Sequence, residues 1–149
     1  MTRGRAGQRA LAHMILNGGM GAAQRRDGLS TTAYPWNSVV TSSEVFENNA
    51  PVLIERKELI PESAGQGRRS GGMGQRLVLR PADERPLTVN LRPVNLRHPP
   101  QGLMGGKPGA LGRILFNGEL TDQRLLSLRL GDDLVCELAG GGGFGALQV

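Results

Sequence analysis

At 149 residues the chain is sized for one domain, and 38% apolar residues, 3% aromatics and 23 glycines indicate many tight turns around a modest core. Eighteen basic residues exceed thirteen acidic ones for a net charge of +5, but they lie in ones and twos, as at Arg25-Arg26, Arg56-Lys57 and Arg68-Arg69. That scatter disfavours nucleic acid, which wants a basic stripe with interleaved aromatics. Cys136, the single cysteine, excludes an internal disulfide, and no stretch approaches the roughly 20 apolar residues of a membrane span, so a soluble, cytoplasmic chain with no membrane partner is expected.

Residues 1–9 are polar, basic and glycine-containing, so residues 1–16 are expected to be a poorly ordered or fragment-boundary segment, with 17–149 as the folded region. The short apolar run from Ala10 to Leu16 fits a helix or a buried strand equally, and Gly18-Gly19-Met20-Gly21 ends it. Turn residues fill 27–37, after which Ser43 to Asn48 either starts a short helix or continues the loop. Pro51 to Pro61 encloses a β-branched and aliphatic run that suits a strand.

Gln75 to Arg80 and Leu87 to Leu91 are further strands, the second with clean alternation, and the PADERP between them is of hairpin length. Arg113 to Phe116 meets Asn117-Gly118, the pair best suited to a tight turn with positive φ. Leu126, Leu128 and Leu130 alternate, Gly131-Asp132 turns, and Leu134, Cys136 and Leu138 alternate again, as short antiparallel strands with one buried face would. The fold class is β-rich α+β: short, mainly antiparallel strands joined by glycine-rich turns.

The glycine clusters fail as phosphate loops. GLMGGKPG puts Pro108 where a magnesium-binding Ser or Thr belongs, and Gly72-Met73-Gly74 precedes a strand instead of opening a helix. Only His13, His98 and Cys136 offer nitrogen or sulfur to a metal, and no serine sits in a G-x-S-x-G elbow. Catalytic, metal and cofactor-binding residues are therefore assigned to none. Pocket-lining candidates are Gly19, Gly21, Gly72 and Gly74, where backbone is expected to approach a ligand closely, together with Asn37 and Glu44 from the 37–44 loop and His98 from the proline-stiffened RHPPQG.

Four segments in fixed order carry a resemblance: GGMGA with DGLS; residues 51–59 with GQGRRSGGMG; GLMGGKPG; and Gly131-Asp132 followed by GGGGFG. Together over residues 17–145 they resemble the carboxy-terminal third of the hydantoinase B/oxoprolinase family, with relatives such as N-methylhydantoinases, 5-oxoprolinase and acetone carboxylase. Glu62-Ser63-Ala64-Gly65 stands where the family pattern has Asp-Ser-Gly-Gly.

The resemblance implies a fragment of a larger subunit that supports ATP-dependent hydrolytic ring opening of hydantoin or 5-oxoproline-like cyclic amides. It implies ATP and a divalent metal for the full complex, none of them bound by this chain alone. The implied partners are the upstream hydantoinase B portion, a hydantoinase A-type ATP-binding subunit and a small cyclic amide substrate. A non-enzymatic Arg/Gly-rich module binding nucleic acid or protein, or a nonfunctional remnant, are the alternatives.

Overall fold

The computed structural model describes residues 11–33 and 42–147. One short helix, α1 (Ser43–Asn49), precedes seven strands: β1 (Val52–Leu59), β2 (Gln75–Pro81), β3 (Leu87–Asn90), β4 (Arg113–Phe116), β5 (Glu119–Leu120), β6 (Leu125–Leu128) and β7 (Leu134–Glu137). Five strands form an antiparallel sheet in the order β1-β2-β7-β4-β5, and β3 pairs with β6 in a second, two-stranded sheet. The β-rich, antiparallel architecture expected from the alternation is thus the one observed.

Period-two patterning sets the core. Leu77 and Leu79 of β2, Leu134 and Cys136 of β7, and Ile114 of β4 share one face of the large sheet, where Leu126 and Leu128 of the small sheet meet them. Leu128 and Leu134 are wholly buried. Phe46 of α1 packs against the margin of this cluster. Ser42 caps the helix by accepting from Val45 N, so the segment starting at Ser43 resolves as helix.

The strand edges are blunted. β1 is long but carries a bulge between Ile54 and Arg56 and the charged run Glu55 to Glu58, while β5 has only two residues. Both features discourage pairing with another chain.

One sequence expectation about pairing needs correction. The 81–86 connection does not close a hairpin, because β2 already has β1 on one side and β7 on the other, leaving no free ladder for β3. Instead the Asp83 carboxylate accepts from Arg85 N, and Ala82 N donates to Pro51 O, which turns the chain away toward the second sheet. Strands β6 and β7 follow one another across Gly131 (φ 96) but enter different sheets, meeting only through the core between them.

The 11–16 part of the apolar run is neither helix nor strand; Ala10 lies outside the described residues. Met14 and Leu16 lean on the core while Leu11 and Ile15 face outward. At Asn117-Gly118 the expectation holds: φ values of 50 and 81 close the β4–β5 turn.

Candidate functional site

The glycine clusters meet in one place, and their role is different from turning the chain. Among the described glycines only Gly105, Gly118, Gly131 and Gly145 have positive φ. Most of the others are points where one backbone lies against another. The run Gly140 to Gly143 is the axis: a Cβ built there would sit 1.9 Å from Ser63 O, 2.0 Å from Met20 O, 2.1 Å from Gln101 O and 2.3 Å from Gln66 O, in that order. Four consecutive residues thus press on three stretches of chain, with the fourth residue returning to the 63–66 stretch that the first one meets.

Hydrogen bonding around this axis follows the same rotation. The carbonyls of Gly141, Gly142 and Gly143 accept from Gly65 N, Ala22 N and Leu103 N at 2.8, 2.9 and 2.9 Å. Three successive carbonyls directed at three segments give a threefold pattern. A collagen-type bundle of extended chains has the same periodicity, and there too only glycine fits at the crowded axis.

This arrangement locates the glycine candidates. Gly19 and Gly72 are in direct contact, since a Cβ on Gly19 would fall 1.9 Å from Gly72 O. Gly72 lies against Leu29 O and Gly74 against Leu138 O, each at 2.0 Å from an added Cβ, whereas Gly21 has 3.7 Å to its nearest neighbour. Gly19, Gly72 and Gly74 therefore lie in close contact with other backbone, where the sequence suggested the approach of a ligand. Their amides are engaged too: Gly19 N donates to Ala139 O, Gly72 N to Met20 O, and Gly74 N to the Ser63 hydroxyl at 2.8 Å. Ser63 is itself buried, and its hydroxyl donates a hydrogen bond to Ile60 O at 2.7 Å.

Concavities flank the sheets. A cleft of about 610 Å³ runs between residues 13–20, residues 90–96 and the Ile114 and Cys136 region of the large sheet; Gly19 and His13 line it. Its size suits a small molecule. Asn17, Asn90 and Asn95 supply amides to a wall otherwise formed by Met14, Leu16 and Leu91. Cys136 also borders it, but burial pushes this thiol up to about 12, so it is a packing residue and not a nucleophile.

A second hollow of about 560 Å³ holds His98 with Arg97, Asp122 and Arg124. The sequence singled out His98 alone there, because Asp122 and Arg124 come from a segment without any motif. Glu44 stands apart in the first turn of α1, where its own backbone N–H and then the Ser42 hydroxyl lower its pKa. Asn37 lies outside the described residues. The structure therefore brings Gly19 and Gly72 together and leaves Glu44 and His98 elsewhere.

Among the described residues no three His, Cys, Asp or Glu side chains gather as metal ligands. Nor do the glycine segments form an anion cradle, since Gly71, Gly72, Gly106, Lys107, Gly141 and Gly143 all donate their N–H to backbone carbonyls. Among the described residues there is thus no cluster that fits a divalent metal, and these glycine amides are not free to cradle a nucleotide's phosphates. No helix among them is long and apolar enough to cross a membrane.

Fold and clefts together define an antiparallel β unit organised on a glycine axis, with no metal-ligand cluster among the described residues. The chain belongs to the hydantoinase B/oxoprolinase family, whose model matches residues 1–147. It is 32% identical over 142 residues to 5-oxoprolinase 1 of Arabidopsis thaliana, an alignment that takes in 88% of this chain and 11% of that protein. The ATP-dependent caprolactamase of Pseudomonas jessenii superposes with a TM-score of 0.70 at 27% identity, over 88% of this chain and 24% of that one. An acetone carboxylase shares the fold, with a TM-score of 0.64 at 21% identity over 86% and 22% of the respective chains. The chain thus spans about a tenth of its curated relative and a quarter of the caprolactamase chain.

Proposed function

We propose that this chain is the carboxy-terminal part of a hydantoinase B-type body that supports ATP-dependent ring opening of hydantoin or 5-oxoproline-like cyclic amides, and that it does not turn over substrate alone. The observation that carries this reading is the family match along residues 1–147 of a chain in which many glycine N–H groups are engaged in holding backbone segments against one another. Relatives named 5-oxoprolinase and ATP-dependent caprolactamase support a cyclic amide as the substrate class.

Chemical logic supports the division of labour. An unstrained cyclic amide resists water, and phosphorylating its oxygen creates a leaving group before hydrolysis, which calls for phosphoryl-transfer machinery. In this reading that machinery, with its ATP and divalent metal, belongs to a hydantoinase A-type partner and to the upstream B-type portion. This chain's own residues keep the body rigid and close one side of its cleft. The test is ATP-dependent ring opening of hydantoin and 5-oxoproline, assayed with the chain alone and with it co-expressed beside those two partners. Turnover is expected only from the complete set; activity of the lone chain overturns the proposal.

A further inference from the structure

The hollow at His98 has features that the ring-opening reading leaves unused. Its backbone is braced: Pro93, Pro99 and Pro100 stiffen the loop, Asn95 takes a positive φ of 58, and Asn95 O accepts from Gly112 N at 3.0 Å. Across the hollow, Arg124 O accepts from Leu91 N at 2.6 Å, which ties the two walls together. The cationic side chains are thus mounted on fixed supports, which lowers the ordering cost of binding.

Charge there is unbalanced. Arg97 pairs with Asp122 at 3.5 Å, with side chains 82% and 78% exposed, whereas each of the other ion pairs among the described residues is 3.1 Å or shorter. So exposed a pair contributes little and yields readily to a better acceptor. Arg124 makes no ion pair among the described residues. Two guanidinium forks and an imidazole therefore line a space that holds one carboxylate. Guanidinium matches phosphate oxygens bidentately, and Pro93 and Leu96 add apolar wall for an organic body.

We propose that this hollow binds the phosphate group of a small phosphate monoester, with Arg97 and Arg124 as the gripping residues, His98 as a third donor and Asp122 as a competitor for Arg97. The assignment stands independently of the ring-opening reading.

The chain has only two histidines, His13 and His98, so imidazole NMR signals of the 149-residue protein report on the hollow with a built-in control. Inorganic phosphate and phenyl phosphate are titrated at constant ionic strength against chloride. The His98 signals should move and saturate while those of His13 stay. Arg124→Gln should weaken binding about tenfold, the scale of one charge-assisted contact, and Asp122→Asn should tighten it severalfold. Tightening cannot come from damaged folding, and these side chains are exposed, so melting temperatures should be unchanged. Phenyl phosphate binding above inorganic phosphate supports the monoester; the reverse order overturns it. An immobile His98, both histidines drifting together, or no gain from Asp122→Asn overturns the site.

Discussion

Arg76 on β2 holds one carboxylate oxygen of Glu137 on β7, at 2.8 Å through Nε and 2.7 Å through Nη2. Arg113 on β4 holds the other oxygen at 2.7 Å, and Glu58 on β1 reaches Arg76 at 3.1 Å. Strand register produces this row, because Glu58, Arg76, Glu137 and Arg113 are direct cross-strand neighbours on the face away from the core. Alternating charge thus links four of the five strands.

Within the row Glu137 is the residue under constraint, at 6% exposure against 34% and 57% for the two arginine side chains. Glu137→Gln keeps the shape and removes the charge that both forks need. The expected loss is about 2 kcal/mol, at the low end for breaking a buried pair because the arginines regain water. Arg113→Met, at the exposed end, should cost about 1 kcal/mol or less. Urea midpoints measure both, and equal losses would refute the asymmetry.

Gly19 and Gly21 make a matched pair for testing the glycine axis. A methyl group on Gly19 meets Gly72 O at 1.9 Å and Gly141 N at 2.6 Å, both backbone, so one of two central segments has to move. On Gly21 the nearest atom is 3.7 Å away, ordinary contact. Gly19→Ala should lose about 3 kcal/mol or more and yield little soluble protein, beyond the usual overpacking cost because backbone cannot rotate aside. Gly21→Ala should stay within about 0.5 kcal/mol of the parent. Similar thermal midpoints for the two variants would remove the axis as an explanation.

This contrast also marks where sequence reading stops. Asn117-Gly118 was legible because a turn with two positive φ values is written in adjacent residues. Gln75 to Arg80 and Leu87 to Leu91 were legible as strands by their own alternation. Their partners were not, since nothing local to PADERP reports that both sides of β2 are taken by β1 and by β7, more than fifty residues later. Glycine is more ambiguous still: it serves turns and close contacts alike, and whether Met20 O faces Gly141 depends on residues over a hundred positions apart. For the same reason His98 could be nominated from its proline-rich loop, while Asp122 and Arg124 could not be joined to it.

Cys136 gives a direct probe of core integrity. Desolvation holds its thiol at about 12, so the reactive thiolate is scarce in the folded chain near neutral pH. The sign follows: burial disfavours the charged form, and unfolding restores the ordinary thiol range of about 8.5. Alkylation by iodoacetamide at pH 8 should be negligible for the native protein and rapid in denaturant, with the rate tracking the unfolding transition. Rapid native labelling would contradict the buried placement between Leu77 and Ile114.

Asn117 and Asp132 latch two turns that are adjacent only in space. The Asn117 amide donates to Asp132 at 2.9 Å and its carbonyl oxygen accepts from Asp133 N at 2.9 Å, while Asp132 also accepts from Arg129 N at 2.7 Å. The Arg129 N–H, then the Asn117 amide, hold the Asp132 carboxyl below its ordinary range. A carboxylate favoured in the fold adds stability that is fully present above the ordinary Asp value of about 3.9 and is lost as pH falls through the lower, folded one. The Arg129 amide proton should therefore titrate by NMR with a midpoint below that ordinary value, and Asp132→Asn should abolish the transition. Asn117→Gly, which tolerates the φ of 50 but lacks the amide, should move the midpoint back up only partly, because the larger contribution comes from Arg129. A midpoint at or above 3.9 in the parent protein would show that the latch does not form in solution.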